Sequence, residues 1–143
     1  MIDIDGIAES LRTLLETSVT DFKMVRYEGD ERDENFANMP YADVTMLRMD
    51  PEIRAGSEYV VSATYVVTII ALDLSSRREA ATIRNGLIKA SQEAVKANPK
   101  FDTDLETSKI GPSEFANAKD DESGAFMALA TFEVDVLVFV DPL

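Results

Sequence analysis

The longest uninterrupted pattern in the chain is Ala125 to Val140, AFMALATFEVDVLVFV, which contains no Gly or Pro and is dense in β-branched and aromatic side chains. It predicts one long β-strand. Side chains alternate across a strand, so one face carries Phe126, Ala128, Ala130, Phe132, Val134, Val136, Val138 and Val140, and the other carries Met127, Leu129, Thr131, Glu133, Asp135, Leu137 and Phe139. The first face is wholly apolar and is expected in the core. At about 3.3 Å per residue a straight strand of this length runs roughly 50 Å, whereas a compact globule of this chain length is under about 40 Å across. The expectation is that part of the sheet projects, and a projecting apolar sheet needs a partner.

The remaining elements follow from the same periodicities. Ile4 to Glu16 places Ile4, Ile7, Ala8, Leu11, Leu14 and Leu15 on one helical stripe, with Asp3 or Asp5 available as the cap. Phe22 to Tyr27 alternates as a short strand. Glu28 to Pro40, EGDERDENFANMP, shows no apolar period and reads as an exposed loop. Tyr41 to Met49 resumes a strand pattern, and Asp50, Pro51 and the Ala55-Gly56-Ser57 group supply turn chemistry before a hairpin partner. That partner, Glu58 to Leu72, is the second long strand, expected to lie beside the C-terminal one. Ser76 and Glu79 have the spacing of a capping box, so a second helix runs from there to about Lys96, where Asn98-Pro99 stops it. Phe101 to Ile110 predicts a weaker strand, and Gly111 to Gly124 reads as a polar loop. The expected fold class is α+β: a single mainly antiparallel sheet with two long strands, and two helices packed on one face. Residues 1–143 are expected to form one domain.

Composition narrows the function. The 143 residues include no Cys and no His, which removes disulfides, thiol nucleophiles, Ser-His-Asp triads and the commonest general base. Fourteen basic residues against 27 acidic leave a net charge of -13, a poor basis for holding phosphates. No apolar run reaches the length of a membrane span, and the N-terminus lacks the basic-then-apolar order of a secretory signal, so the reading expects a protein kept in the cytoplasm or in something assembled there.

Candidate chemistry is sparse. Asp102, Asp104 and Glu106 alternate along a strand and could offer oxygen ligands to a divalent cation, but such alternation also describes the solvated side of an edge strand. The Asp30 to Glu34 cluster fails the calcium-loop pattern, because Arg32 takes the third ligand position and Asn35 replaces the required glycine. Glu133 and Asp135 could form an acid and base pair, with no cationic group nearby in sequence to support one. Phosphate-loop glycine patterns do not occur. Arg77-Arg78 is too small a patch for nucleic acid, and reads better as pairing with acids across a surface or subunit contact.

The element order resembles that of the tail terminator and related neck proteins of tailed bacteriophages. An N-terminal helix, a hairpin with an acidic loop, the strand YVVSATYVVTIIAL, a helix opened by SSRREAATIRNGL and the terminal ATFEVDVLVFV strand carry the resemblance. It implies a non-enzymatic virion protein of the tail neck, assembled in the host cytoplasm. Such a subunit forms a hexameric ring that caps the finished tail tube, ends its polymerisation and docks the head connector. Implied partners are other copies of the chain, the tail tube protein and the head connector, with the sheath protein as a further candidate. No cofactor, metal, membrane or specific nucleic-acid binding is implied, although DNA would pass through the channel. The expected assembly surface draws on Asp30, Glu31, Asp33, Glu34 and Phe36 in the first loop, Arg77 and Arg78 on the second helix, and Phe115, Lys119 and Asp120 in the second loop. Met127, Leu129, Glu133 and Asp135 on the last strand complete it. Two other classes stay open at this point. One is a small acidic dimeric module holding an apolar ligand or peptide between sheet and loops; the other is a metal-dependent enzyme in which Asp102, Asp104 and Glu106 converge with Glu133 or Asp135.

Overall fold

A computed structural model describes residues 3–27, 39–53, 59–119, 121 and 123–140. The elements run α1 (Ile4–Ser18), β1 (Met24–Tyr27), β2 (Tyr41–Ile53), β3 (Tyr59–Asp73), α2 (Arg77–Ala97), β4 (Leu105–Lys119) and β5 (Phe126–Val140). The five strands form one sheet in the order β1-β2-β3-β5-β4. Every neighbouring pair is antiparallel except β1 with β2. The α+β class and the mainly antiparallel sheet are as expected.

The two long segments are neighbours along their whole length, from Tyr59 opposite Val140 to Asp73 opposite Phe126. Burial follows the two-residue period: on β5 the alternate positions from Ala128 to Val138 are buried. That face packs with Ala63, Tyr65, Val67 and Ile69 of β3 under Ile7, Leu11 and Leu15 of α1 and Leu87, Ile88 and Val95 of α2. Phe126 departs from the expected core face. It is half-buried at the sheet's end, under the cations of Arg77 and Lys119.

Length is where expectation and structure part. Four strands are long, not two: β2 spans 13 residues and β3, β4 and β5 span 15 each. β5 therefore does not outrun its neighbours, since β3 and β4 flank it throughout. Asp50-Pro51, read as a turn, continues β2, with Asp50 opposite Ser62 and Pro51 opposite Val61. Pro51 lies beyond the reach of β1, where a missing N–H does not break a second ladder. Gly111 to Lys119, read as part of a loop, is the second half of β4. Gly111-Pro112 is absorbed as an irregularity between Ile110 opposite Val134 and Ser113 opposite Phe132, after which pairing resumes. A Cβ at Gly111 would sit 3.0 Å from Glu133 Cβ and 3.2 Å from Asp135 Oδ2, so this close approach favours glycine.

Both helix starts match local chemistry. Asp3 caps α1 by accepting from the Gly6 N–H at 2.9 Å. Ser76 caps α2 by accepting from the Glu79 N–H at 3.2 Å. The reciprocal half of the expected capping box is supplied by a different residue: Asp73 Oδ2 accepts from the Ser76 N–H at 2.7 Å and from the Ser75 N–H at 3.0 Å. These bonds, Ser75 first, hold the Asp73 carboxyl below the usual carboxylate range.

Candidate assembly surfaces

The helix-free face of the sheet has two zones. At one end Met39, Tyr41 and Ile70 are buried together, and Met24, Leu72, Met127 and Leu129 pack partly buried around them. Met127 and Leu129, expected at a subunit contact, thus belong to an apolar cluster on this face. Farther along, Asp135 lines a groove of about 420 Å³ together with Arg48, Thr64 and Lys109 among others, and Glu133 lies two residues before it on the same strand face. Arg48 Nη2 lies 3.2 Å from Glu133 Oε1, and the Thr64 hydroxyl donates to Asp135 Oδ1 at 2.7 Å. Lys109 stands opposite Asp135 in the ladder. Each carboxylate thus has its own partner, a cation for Glu133 and a hydroxyl donor for Asp135, the ordinary arrangement of partly exposed surface carboxylates.

The carboxylates of the proposed metal site are dispersed. Asp102 accepts from the Ser10 hydroxyl of α1 at 2.6 Å and from the Asp104 N–H at 2.9 Å, so it fastens the turn before β4 to the helix side of the sheet. Asp135 faces the opposite side. Among the described residues no cluster of three or more acidic groups converges, which removes the geometric basis of the carboxylate-enzyme reading. The groove holding Asp135 is charged, which suits an apolar ligand poorly.

On the helix side, β4 ends the sheet and no described strand pairs with its outer edge. From Pro112 to Lys119 its residues are exposed. Besides its ladder with β5, this half is tied to α2 by Arg84, only 7% exposed in the middle of the helix. Its Nη1 donates to the Ala116 carbonyl at 3.1 Å and to Asn117 Oδ1 at 3.0 Å, and its Nε to Asn85 Oδ1 at 3.1 Å. The guanidinium also lies 5.2 Å from the centre of the Phe115 ring, which is itself 57% exposed. Nearby, Arg77 and Lys119 both cover the Phe126 ring, at 5.7 and 5.6 Å. Arg78 is exposed on the outer side of α2.

The sequence-derived surface therefore divides. Arg77, Phe115 and Lys119 gather on the helix side at the β4 edge, and Met127, Leu129, Glu133 and Asp135 lie on the opposite face. Strand parity forces this split, because alternate residues of β5 and β4 point to opposite sides. Asp30, Glu31, Asp33, Glu34, Phe36 and Asp120 lie outside the described residues. Sequence reasoning passed over Arg84 and Arg48. Arg84 carried a legible signal, since it falls on the apolar stripe of α2 between Ala80 and Leu87; Arg48 carried none, because its partner is 85 positions away.

No family model and no curated protein matches the sequence. Among solved structures, 99% of the chain is similar to a chain of an extracellular contractile injection system described as its sheath/tube terminator in the extended state, at 10% identity and a TM-score of 0.57. This chain spans 58% of that chain's length. A chain from the virion of a native gene transfer agent particle is similar over 93% of this chain and 92% of its own, at 12% identity and a TM-score of 0.43. The protein has the fold seen in a sheath/tube terminator, in agreement with the resemblance carried by its element order.

Proposed function

We propose that this protein is a structural subunit of a phage-like tail, a one-domain terminator that forms a hexameric ring, caps the tail tube and offers a docking surface to the head connector. The observation that carries the reading is the agreement of fold with a sheath/tube terminator over 99% of the chain. The exposed β4 edge, which no described strand pairs, and the helix-free sheet face supply the surfaces a ring subunit needs, because side-to-side contacts in a ring join two different patches of the same chain. A net charge of -13 suits a channel that DNA must traverse without sticking. The role is architectural: the grouped charges on the open face neutralise one another and do not converge on a reacting centre. Native mass spectrometry and electron microscopy of the purified protein, alone and with tail tube, test the reading. A six-fold ring, free or on tube ends, is the expected result; a strict monomer even with tube present overturns it.

A further inference from the structure

The two helices carry opposite charge on opposite flanks of the sheet. Residues 77–100 hold six lysines and arginines against Glu79 and Glu93, a net +4 within a chain of net -13. At about 100° per residue around a helix, Arg78, Lys89 and Lys96 fall within about 20° of one another and all three are exposed. Gln92, about 40 to 60° away on the same wheel, donates to Ser113 Oγ of β4 at 2.9 Å. The basic stripe therefore lies toward the β4 flank, with Glu93 as the acid beside it.

On α1 the same reckoning puts Asp5, Glu9 and Glu16 within about 40°, all exposed. Tyr27 of β1 donates to Asp5, and Arg12 reaches the Val25 carbonyl of β1 at 3.4 Å. This acidic stripe lies toward β1, and Arg12, ion-paired to Glu9 at 2.6 Å and to Glu16, offsets only part of it. Ser10, on the other side of α1, faces inward to Asp102. Because β1 and β4 are the two ends of the sheet, the two helices give the flanks opposite charge, against which Lys23 and Arg26 stand on the β1 side and Glu106 and Glu114 on β4.

We propose that the acidic α1–β1 flank of one copy docks on the basic α2–β4 flank of the next, head to tail around the ring. This rests on the ring reading above and names its contact. Complementary potentials favour that register, whereas two basic or two acidic flanks facing each other repel, which disfavours a two-fold dimer through either flank. Phe115, exposed and backed by Arg84, is the aromatic anchor at the basic flank.

The test is a charge swap in the full chain. One variant carries Arg78→Glu, Lys89→Glu and Lys96→Glu; the other carries Glu9→Lys and Glu16→Lys, leaving Asp5 to its tyrosine. Each alone is expected to lose about tenfold or more in assembly constant, and an equimolar mixture is expected to regain assembly with the two masses alternating. Regain on mixing also rules out misfolding as the cause of the loss. A mixture that stays dissociated, or variants that assemble like the wild type, overturn the contact alone. A wild-type chain that remains monomeric overturns the ring reading and this contact together.

Discussion

Arg84 ties the exposed half of β4 to α2. It is a buried cation whose donors reach backbone and amide acceptors, so replacing it strands those acceptors and removes the ring contact with Phe115. Arg84→Met keeps the apolar stem and is expected to destabilise by about 1–3 kcal/mol, with the loss read in urea unfolding. Hydrogen exchange at Ala116 to Ala118 is expected to rise more than in β3, because the change frees an edge and not the core. Tyr65 is fully buried, and its hydroxyl donates to the Ile4 carbonyl at 2.8 Å, tying β3 to the start of α1. Burial, then Tyr27 and the carboxylates of Asp102, Asp5 and Asp3, push its pKa well above the ordinary tyrosine range. The unfolded chain releases this proton near pH 10, and the folded chain only at higher pH. Its contribution is complete below about pH 10 and is lost as pH rises beyond it. Tyr65→Phe is expected to cost about 0.5–1.5 kcal/mol at neutral pH and to flatten the alkaline fall of the melting midpoint.

Among the elements, the start of α2 and the irregularity in β4 make separable predictions. Ser76→Ala removes the acceptor for the Glu79 N–H, and the expected loss is about 1 kcal/mol in equilibrium unfolding. Asp73 adds a pH dependence of the acid kind: its depressed carboxyl stabilises the fold above the unfolded carboxylate pKa, near pH 4, and loses that effect as pH falls through its folded value. Asp73→Asn is expected to make the acid limb of the stability curve less steep, measured by thermal melts below pH 5. In β4, Gly111→Val places branched bulk against Glu133 and Asp135, and the expected cost is about 1–3 kcal/mol. Circular dichroism that retains the sheet signal while the melting midpoint drops would show strain at the irregularity and not loss of the strand.

At the scale of the whole molecule, shape and charge distribution act together. Met49 and Phe139 are among the exposed large apolar side chains, and both lie toward the β2–β3 hairpin end of the sheet, on opposite faces of it. Apolar surface there is available for burial by a partner, while the charged flanks orient the approach. Assembly through exposed charges should weaken with salt, since the screening length falls from about 10 Å at 0.1 M to about 3 Å at 1 M. Sedimentation of the wild type across that range is expected to show the assembled fraction decreasing. An assembled fraction that instead grows with salt would place the main contact on the apolar end.

Features that depend on near neighbours along the chain are legible in the residues alone. Two-residue alternation set the extent and buried side of β5, the helical stripe placed α1 and α2, and Asp3 or Asp5 and Ser76 marked their starts, because backbone geometry fixes those periods and caps locally. Tertiary packing settled which face each candidate residue joins, and that Gly111-Pro112 is an irregularity inside a strand where a loop was expected. A Gly-Pro pair reads identically in either setting, and the choice rests on whether a long neighbour continues the ladder. The same holds for Arg84 and for the opposed charge of the two flanks. Both arise from the order of strands in the sheet, which burial between distant segments decides and no local pattern records.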